Sequence, residues 1–295
     1  MVPQYRAATH AGTWYPNGVD CARDVAKYLT SSGQEEVPNL RFLIAPHAGY
    51  SYSGPVAGHS FAAIPKDQFR RVILLGPNHV SHQRGLLVTR FKEWNTPGGA
   101  LQVDTTLAKE VVEGCSVARW NENTADEAEH DLELMLPFVH AVLGSDMPIL
   151  PMIVSFQDDQ ASVATAAEYL STLAKDPTNL WVVSSDFCHY GARFGYTLED
   201  AGVVRDQRPL HTQIQDLDMA GVEAIKGGSA PFASYMASTH NTICGRFPIS
   251  LVLKTFETAG IPISVSMLKY AQSGNITSDR ETSVSYVAAI GVERE

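Results

Sequence analysis

Three histidines and one aspartate stand directly after short apolar runs of the sequence. The runs LIAP, VILLGP and VVSS lead to His47, to His79, and to Asp186 with His189. In an open α/β sheet, ligands bind in the crevice beyond the carboxyl ends of the strands. Residues remote in sequence can meet there, and three imidazoles in one place favour a first-row metal ion. Taken singly, each histidine is equally compatible with a hydrogen-bonded turn or core position.

Cys244 and Asp186 are the further candidates for chemistry in this pocket. Cys244 lies in HNTICGRFPIS, before a helix predicted to begin near Pro248. A thiolate there could bind a metal or act as a nucleophile, whereas the alternative is a buried, inert side chain. Asp186 could be the acid of a two-histidine-one-carboxylate site, orient a histidine, or cap a turn. We predict Asp186 and His189 as the catalytic proton donor or acceptor.

Other polar and aromatic residues are candidates for the wall of the pocket. Glu129 and His130, in DEAEHDLE, could reach it from the start of a helix, although acids there need only the helix dipole as explanation. His10 and Trp14, in THAGTWYP, could contact a ligand or simply tie the N-terminal segment to the core. Arg246 adds a cation. We predict that these five residues line the ligand pocket.

The apolar runs and the patterns between them indicate the elements that would position these residues. Short runs rich in Val, Ile and Leu predict buried strands at 41–46, 71–77, 85–91, 148–154 and 180–185. Helical periodicity predicts helices at 19–29, 126–143 and 159–175. The last two strands are expected at 261–271 and 283–292, where an antiparallel arrangement is one option, and 92–104 is expected to be an irregular loop.

This alternation predicts an α/β fold with a mostly parallel or mixed central sheet and helices on both faces. No internal repeat, low-complexity tract or linker marks a boundary, so we predict one domain over 1–295. Phosphate-binding glycine loops, GxSxG elbows and HExxH helices are absent from the sequence. Their absence disfavours an NTPase, an α/β-hydrolase and a zinc protease.

The composition narrows the partners and the compartment. A net charge of −10 disfavours unspecific binding to nucleic acid or to an anionic membrane. The start lacks the apolar core of a signal peptide, and no apolar run approaches the roughly 20 residues of a membrane span. The four cysteines are scattered without CxxC spacing, which favours free thiols. We therefore expect a cytoplasmic protein without membrane insertion, and a nuclear location is compatible with the same features.

The motifs together resemble the Memo family. They are THAGTWY, APHAGYSYSGPVAGH, LLGPNHV, AEHDLELMLPF, DPTNLWVVSSDFCHYGARFGY, HNTICGRFPI and LKYAQSG, in order from about residue 8 to residue 290. The chain looks like a eukaryotic member. The resemblance implies the α/β fold of class III extradiol dioxygenases of the protocatechuate type, which are nonhaem iron enzymes. The family's pocket residues fall on six positions of this sequence: His47, His79, His189, Cys244, Asp186 and Trp14.

The resemblance also implies function. Family members are described as binding iron or copper, taking part in redox chemistry, and binding phosphotyrosine peptides of receptor tyrosine kinases, with a role in cell motility and the cytoskeleton. The dioxygenases hold Fe(II) with two histidines and a glutamate, whereas this chain offers His47, His79 and Cys244 or His189. A thiolate favours softer metals such as Cu(I), and this departure from the dioxygenase ligands disfavours ring cleavage.

Two functions therefore stand side by side. The first is a metal-dependent oxidoreductase with one iron or copper ion on His47, His79, Cys244 and His189. The second is a non-enzymatic adaptor that accepts a phosphotyrosine peptide of a receptor or its adaptors in the same pocket, with Arg193 or Arg246 nearby. The sequence allows both at once, and a scaffold with a relic pocket is the third possibility.

Overall fold

The computed structural model describes residues 4–156 and 159–294. Apolar runs form the strands of a nine-stranded mixed sheet, in the order β10-β12-β2-β9-β3-β8-β4-β7, with β11 paired to β12. A three-stranded sheet has the order β1-β5-β6. The strands are β1 Tyr5–Arg6, β2 Leu40–Ala45, β3 Arg71–Pro77, β4 Gly85–Val88, β5 Glu93–Thr96, β6 Gly99–Gln102, β7 Ala118–Trp120, β8 Ile149–Ser155, β9 Asn179–Ser184, β10 His189–Tyr190, β11 Ile263–Gln272 and β12 Ser283–Glu293.

Helices cover both faces of the large sheet. They are α1 Gly18–Ser31, α2 Tyr50–Ala62, α3 Thr105–Gly114, α4 Asn123–Ala128, α5 Leu136–Leu143, α6 Gln160–Ala174, α7 Leu210–Gly227, α8 Ser229–Thr239 and α9 Arg246–Ala259. Within the described residues, no helix is both long enough and apolar enough to cross a bilayer.

Alternation along the central strands explains the two layers. In β2, Phe42 and Ile44 join the core that contains α6, α7 and α9, while Leu43 joins the core that contains α1, α2 and α5. A strand buried on both faces shows no polar alternation, as the sequence of the runs indicates. The four central strands, β2, β9, β3 and β8, are parallel, and β12 is antiparallel to β2. The predicted mixed sheet with helices on both faces is confirmed.

Two predicted elements were wrong. The helix predicted at 126–143 is broken: α4 ends at Ala128, a 3₁₀ turn spans Glu133–Met135, and α5 follows. The Arg6 guanidinium donates to the carbonyls of Asp126, Glu127 and Glu129. These carbonyls therefore have partners without helical hydrogen bonds. The loop predicted at 92–104 contains a hairpin of β5 and β6, turned at Pro97 and Gly98.

Candidate metal site

The parallel strands bring the predicted residues to one edge of the sheet. His47 follows the end of β2 by two residues, His79 follows β3, and Asp186 follows β9. Because β9 lies between β2 and β3 in the sheet, the three strand ends are neighbours. Their carboxyl ends point the same way, as the sequence pattern predicted.

Three imidazoles meet above this edge. His47, His79 and His130 each offer a ligand atom, and these atoms lie within 4.8 Å of one another, so the group could hold a metal ion. The ring of His130 lies 4.8 Å from that of His79 and 5.4 Å from that of His47, centroid to centroid. The sequence placed His130 in the wall of the pocket rather than among the ligands, and it stands beside both predicted ligands.

Hydrogen bonds fix which nitrogen of each imidazole is free. The Ser184 hydroxyl donates to the carbonyl of Asp131 at 3.0 Å, so it must accept from His47 Nδ1 at 2.7 Å. A Glu129 carboxylate oxygen accepts from His79 Nδ1 at 2.8 Å. In both histidines Nδ1 carries the proton, and Nε2 keeps the lone pair that binds metals.

His189 is fixed in the same tautomer. Its Nδ1 donates to the carbonyls of Phe187 at 2.8 Å and Thr242 at 3.0 Å. Its Nε2 is therefore unprotonated. Within the described residues His189 does not belong to the tight group of three. Burial lowers the pKa of His189 against the hydrogen bonds to the carbonyls of Thr242 and Phe187, and the nearby His79 adds a smaller lowering effect.

Cys244 stands beside His47. Its Sγ lies 3.3 Å from His47 Nε2, and the backbone N–H of Asp186 donates to the sulfur at 3.2 Å. Burial raises the pKa of the Cys244 thiol well above its usual value, and the nearby Asp186 adds to the shift. The side chain is therefore a thiol, and binding of a metal ion to its sulfur would release the proton.

The electrostatics favour neutral imidazoles. Burial lowers the pKa of His47 well below its usual value, and His79 and His130 add to the effect. Burial likewise lowers the pKa of His130, against the hydrogen bond to Glu129. Burial by itself raises the pKa of Glu129, but hydrogen bonds from His130 and His79 outweigh it and lower the pKa. A neutral imidazole is the form that binds a metal.

Asp186 lies beneath His47 as a buried carboxyl group. One oxygen accepts the backbone N–H of His47 at 2.8 Å. Burial raises the pKa of Asp186 to about 7, against the hydrogen bonds from the backbone of His47 and Ala48. Near neutral pH this carboxyl group exists in both protonation states, which a proton donor or acceptor requires.

The N-terminal segment forms the outer wall. The Trp14 ring lies 4.2 Å from the His130 ring, and His10 meets the edge of Trp14 at 6.0 Å. Glu133 holds the segment in place: it accepts from the backbone and Nδ1 of His10 at 2.8 and 2.9 Å, and from Tyr15 Oη at 2.8 Å. The predicted pocket residues His10 and Trp14 are thus next to the cluster.

A cavity of about 280 Å³ opens beside the site. Its lining includes His79, Cys244 and Arg246, with Phe247 and Val154 as apolar walls. The Arg246 guanidinium lies over the Phe247 ring at 4.4 Å. A small ligand in this cavity would therefore meet a cation and an aromatic surface as well as the histidines.

Sequence reasoning missed the residues that orient the site. Ser184 ends a buried strand, and Arg6 lies far away in the sequence; both are buried and hold site residues through hydrogen bonds. Thr242 binds the backbone and the ring of His189. The burial of Arg6, a charged residue, could not be predicted from its neighbours in the sequence.

Comparison with known proteins places the chain. A family model described as "Memo-like protein" matches residues 6–290. A Schizosaccharomyces pombe protein named "MEMO1 family protein C4H3.04c" is 36% identical, over 98% of this chain and 99% of the relative. "Protein memo-1 homolog" of Caenorhabditis elegans is 35% identical over 97% and 82%. "Protein MEMO1" of Homo sapiens is 33% identical over 96% of each chain.

Proposed function

The chain belongs to the Memo family, and on that premise we propose that its histidine pocket holds one iron or copper ion in a redox role. His47, His79 and Cys244 would hold the ion, and His130 and His189 are the candidates for a further ligand. The observation that carries the proposal is the fixed tautomer of His47 and His79, because each leaves Nε2 as a free donor of electrons. A bound iron or copper ion would supply one-electron redox chemistry.

The protein's own groups would control protons and water around the ion. Asp186, with a pKa raised to about 7 by burial, can hold a proton or release it near neutral pH. His189 is the second candidate for proton transfer. Trp14, packed against the His130 ring, covers one side of the site and would restrict the entry of water.

Metal content tests the proposal directly. Protein purified without a metal-binding tag, and loaded anaerobically with Fe(II) or Cu(I), should contain close to one ion per chain by elemental mass spectrometry. His47→Ala and Cys244→Ser should lose it. His82→Ala is the matched control, because His82 is exposed and lies outside the group of three. Wild type that stays empty after loading, or variants that retain the ion, would refute the proposal.

Oxygen uptake separates metal binding from redox activity. Metal-loaded wild type and metal-loaded His82→Ala should consume oxygen at equal rates, because His82 lies outside the group of three histidines. Asp186→Asn keeps the size of the side chain but removes the titration, so its uptake should lose the pH dependence centred near pH 7. If metal-loaded wild type consumes oxygen no faster than metal-free wild type, the pocket binds a metal but the proposed redox role is wrong.

A second function, recognition of an anionic ligand, is favoured by Arg246. Its guanidinium lines the same cavity as His79 and Cys244, and a phosphate or carboxylate is the group that such a fork binds. We propose that a phosphotyrosine peptide of a receptor or its adaptor binds here, which would connect the protein to motility and cytoskeletal signalling in the cytoplasm. Phosphorylated peptide should bind more tightly than unphosphorylated peptide, and Arg246→Gln should remove the difference. Equal affinities would contradict it.

A further inference from the structure

Asp218 is a fully buried acid on the apolar face of α7, remote from the site in sequence. Its neighbours on that face include Leu217, Val222 and Ile225. A buried carboxylate is costly unless it is hydrogen-bonded. The residues that satisfy it therefore indicate what the acid is for.

One oxygen of Asp218 receives two donors from two different segments. The backbone N–H of Cys188 donates to Oδ1 at 3.2 Å, and the side-chain amide of Asn241 donates to the same atom at 3.2 Å. The other oxygen accepts the Tyr270 hydroxyl at 2.9 Å. Cys188 directly precedes His189, and Asn241 directly precedes Thr242.

His189 and Thr242 are themselves joined by three hydrogen bonds. The backbone N–H of His189 donates to Thr242 Oγ1 at 2.7 Å, and that hydroxyl donates back to the carbonyl of His189 at 3.0 Å. The carbonyl of Thr242 accepts from the imidazole Nδ1 at 3.0 Å. The same Nδ1 donates to the carbonyl of Phe187 at 2.8 Å, and that carbonyl shares a peptide group with the Cys188 N–H. The relative position of these two segments therefore fixes both acceptors that hold the imidazole in its orientation and tautomer.

We propose that Asp218 is a positioning residue for His189: by binding Cys188 and Asn241 with one oxygen, it locks together the two segments that fix the imidazole. Outer groups of this kind orient site histidines and select their tautomer. The inference rests on the proposed function only in that His189 belongs to that site. It is read from His189 itself, so it can fail while metal binding stands.

The test observes the tautomer of His189 in the metal-free full chain. A long-range ¹H–¹⁵N spectrum distinguishes protonated from unprotonated ring nitrogens, and His189→Gln identifies the signals. Wild type should show a single tautomer with Nδ1 protonated. Asp218→Ala should lose it and show a mixture, because neither the Thr242 carbonyl nor the Phe187–Cys188 peptide group is then held in place. Asp218→Asn should restore the single tautomer, because its amide oxygen can still accept both donors.

Two controls separate positioning from general destabilisation. Tyr270→Phe removes the donor to the other oxygen, and Asn179→Ala removes a buried amide that binds Arg71 and the carbonyl of Leu173 at the start of β9. Both should keep the single tautomer. If Asp218→Ala does not fold, Asn241→Ala decides, because it breaks one of the two links and should also give a mixture. An unchanged tautomer in the folded Asp218→Ala or Asn241→Ala variant would overturn the proposal, as would an equal change in both controls.

Discussion

Two buried carboxylates support the candidate site from different segments, and they differ in what balances their charge. Glu133 is paired with the buried Arg6 guanidinium at 2.6 Å and holds the N-terminal wall. Among the residues that the structure describes, the donors to Asp218 are all neutral, and Asp218 holds the segments around His189. We call these the Arg6 network and the Asp218 network.

The difference appears in the proton affinity of the two acids. Burial raises the pKa of Glu133, but the charge of Arg6 and hydrogen bonds from His10 and Arg6 outweigh it and lower the pKa. Burial raises the pKa of Asp218 to about 6, because neutral donors compensate it only partly. The buried cation thus keeps Glu133 charged. Asp218 has neutral partners, so its charged form at neutral pH costs stability.

The largest expected effect comes from breaking the Arg6 network. Arg6→Met keeps the length of the side chain but leaves Glu133 charged and buried, and it leaves the carbonyls of Asp126, Glu127 and Glu129 without their donor. Removing one partner of a buried ion pair costs about 3–5 kcal/mol. We expect that loss in the free energy of unfolding, measured with urea.

The control for that change is an exposed ion pair. Arg23 lies 2.7 Å from Asp20, and both side chains are more than half exposed. Arg23→Met should therefore cost less than about 1 kcal/mol. Equal losses in Arg6→Met and Arg23→Met would show that the Arg6 network contributes no more than a surface contact.

A smaller effect, with opposite signs in the two networks, is expected from pH. The pKa of Asp218 rises from 3.8 unfolded to about 6 folded, so its contribution is fully present below pH 3.8 and is lost as pH rises through 6. The loss amounts to roughly 3 kcal/mol. Asp218→Asn has no such loss, so its stability relative to wild type should improve between pH 4 and pH 7, measured by urea unfolding across that range.

Glu133 should behave in the opposite way. Its folded pKa is lowered, so its contribution is present above the unfolded pKa of 4.5 and is lost as pH falls through the folded value. Glu133→Gln should therefore lose most stability relative to wild type at neutral pH, and the difference should shrink in acid. The same sign of pH dependence in both variants would contradict the contrast between the two networks.

The contrast also explains what the sequence could predict. His47, His79 and Asp186 could be predicted because apolar runs indicate strands, and ligands bind beyond the carboxyl ends of strands in such sheets. The break after Ala128 was not found, because Arg6 causes it from about 120 positions away in the chain. Asp218 and Ser184 form hydrogen bonds between segments that only the fold brings together. A single polar residue in an apolar pattern does not reveal which residue it will bind.

The smallest expected effect comes from Trp14, which lies at the surface in the N-terminal segment that the Arg6 network holds in place. Trp14 is 38% exposed and its ring packs against His130, so Trp14→Ala should lower the free energy of unfolding by only about 0.5–1.5 kcal/mol. Burial lowers the pKa of His130, and opening this wall should raise it toward the usual value, as an NMR titration of the ring protons would show. Trp14→Phe keeps an aromatic ring on His130 and should leave that pKa low. If Trp14→Ala leaves it equally low, burial by the other elements and the neighbouring His79, rather than the N-terminal wall, keep the pKa of His130 low.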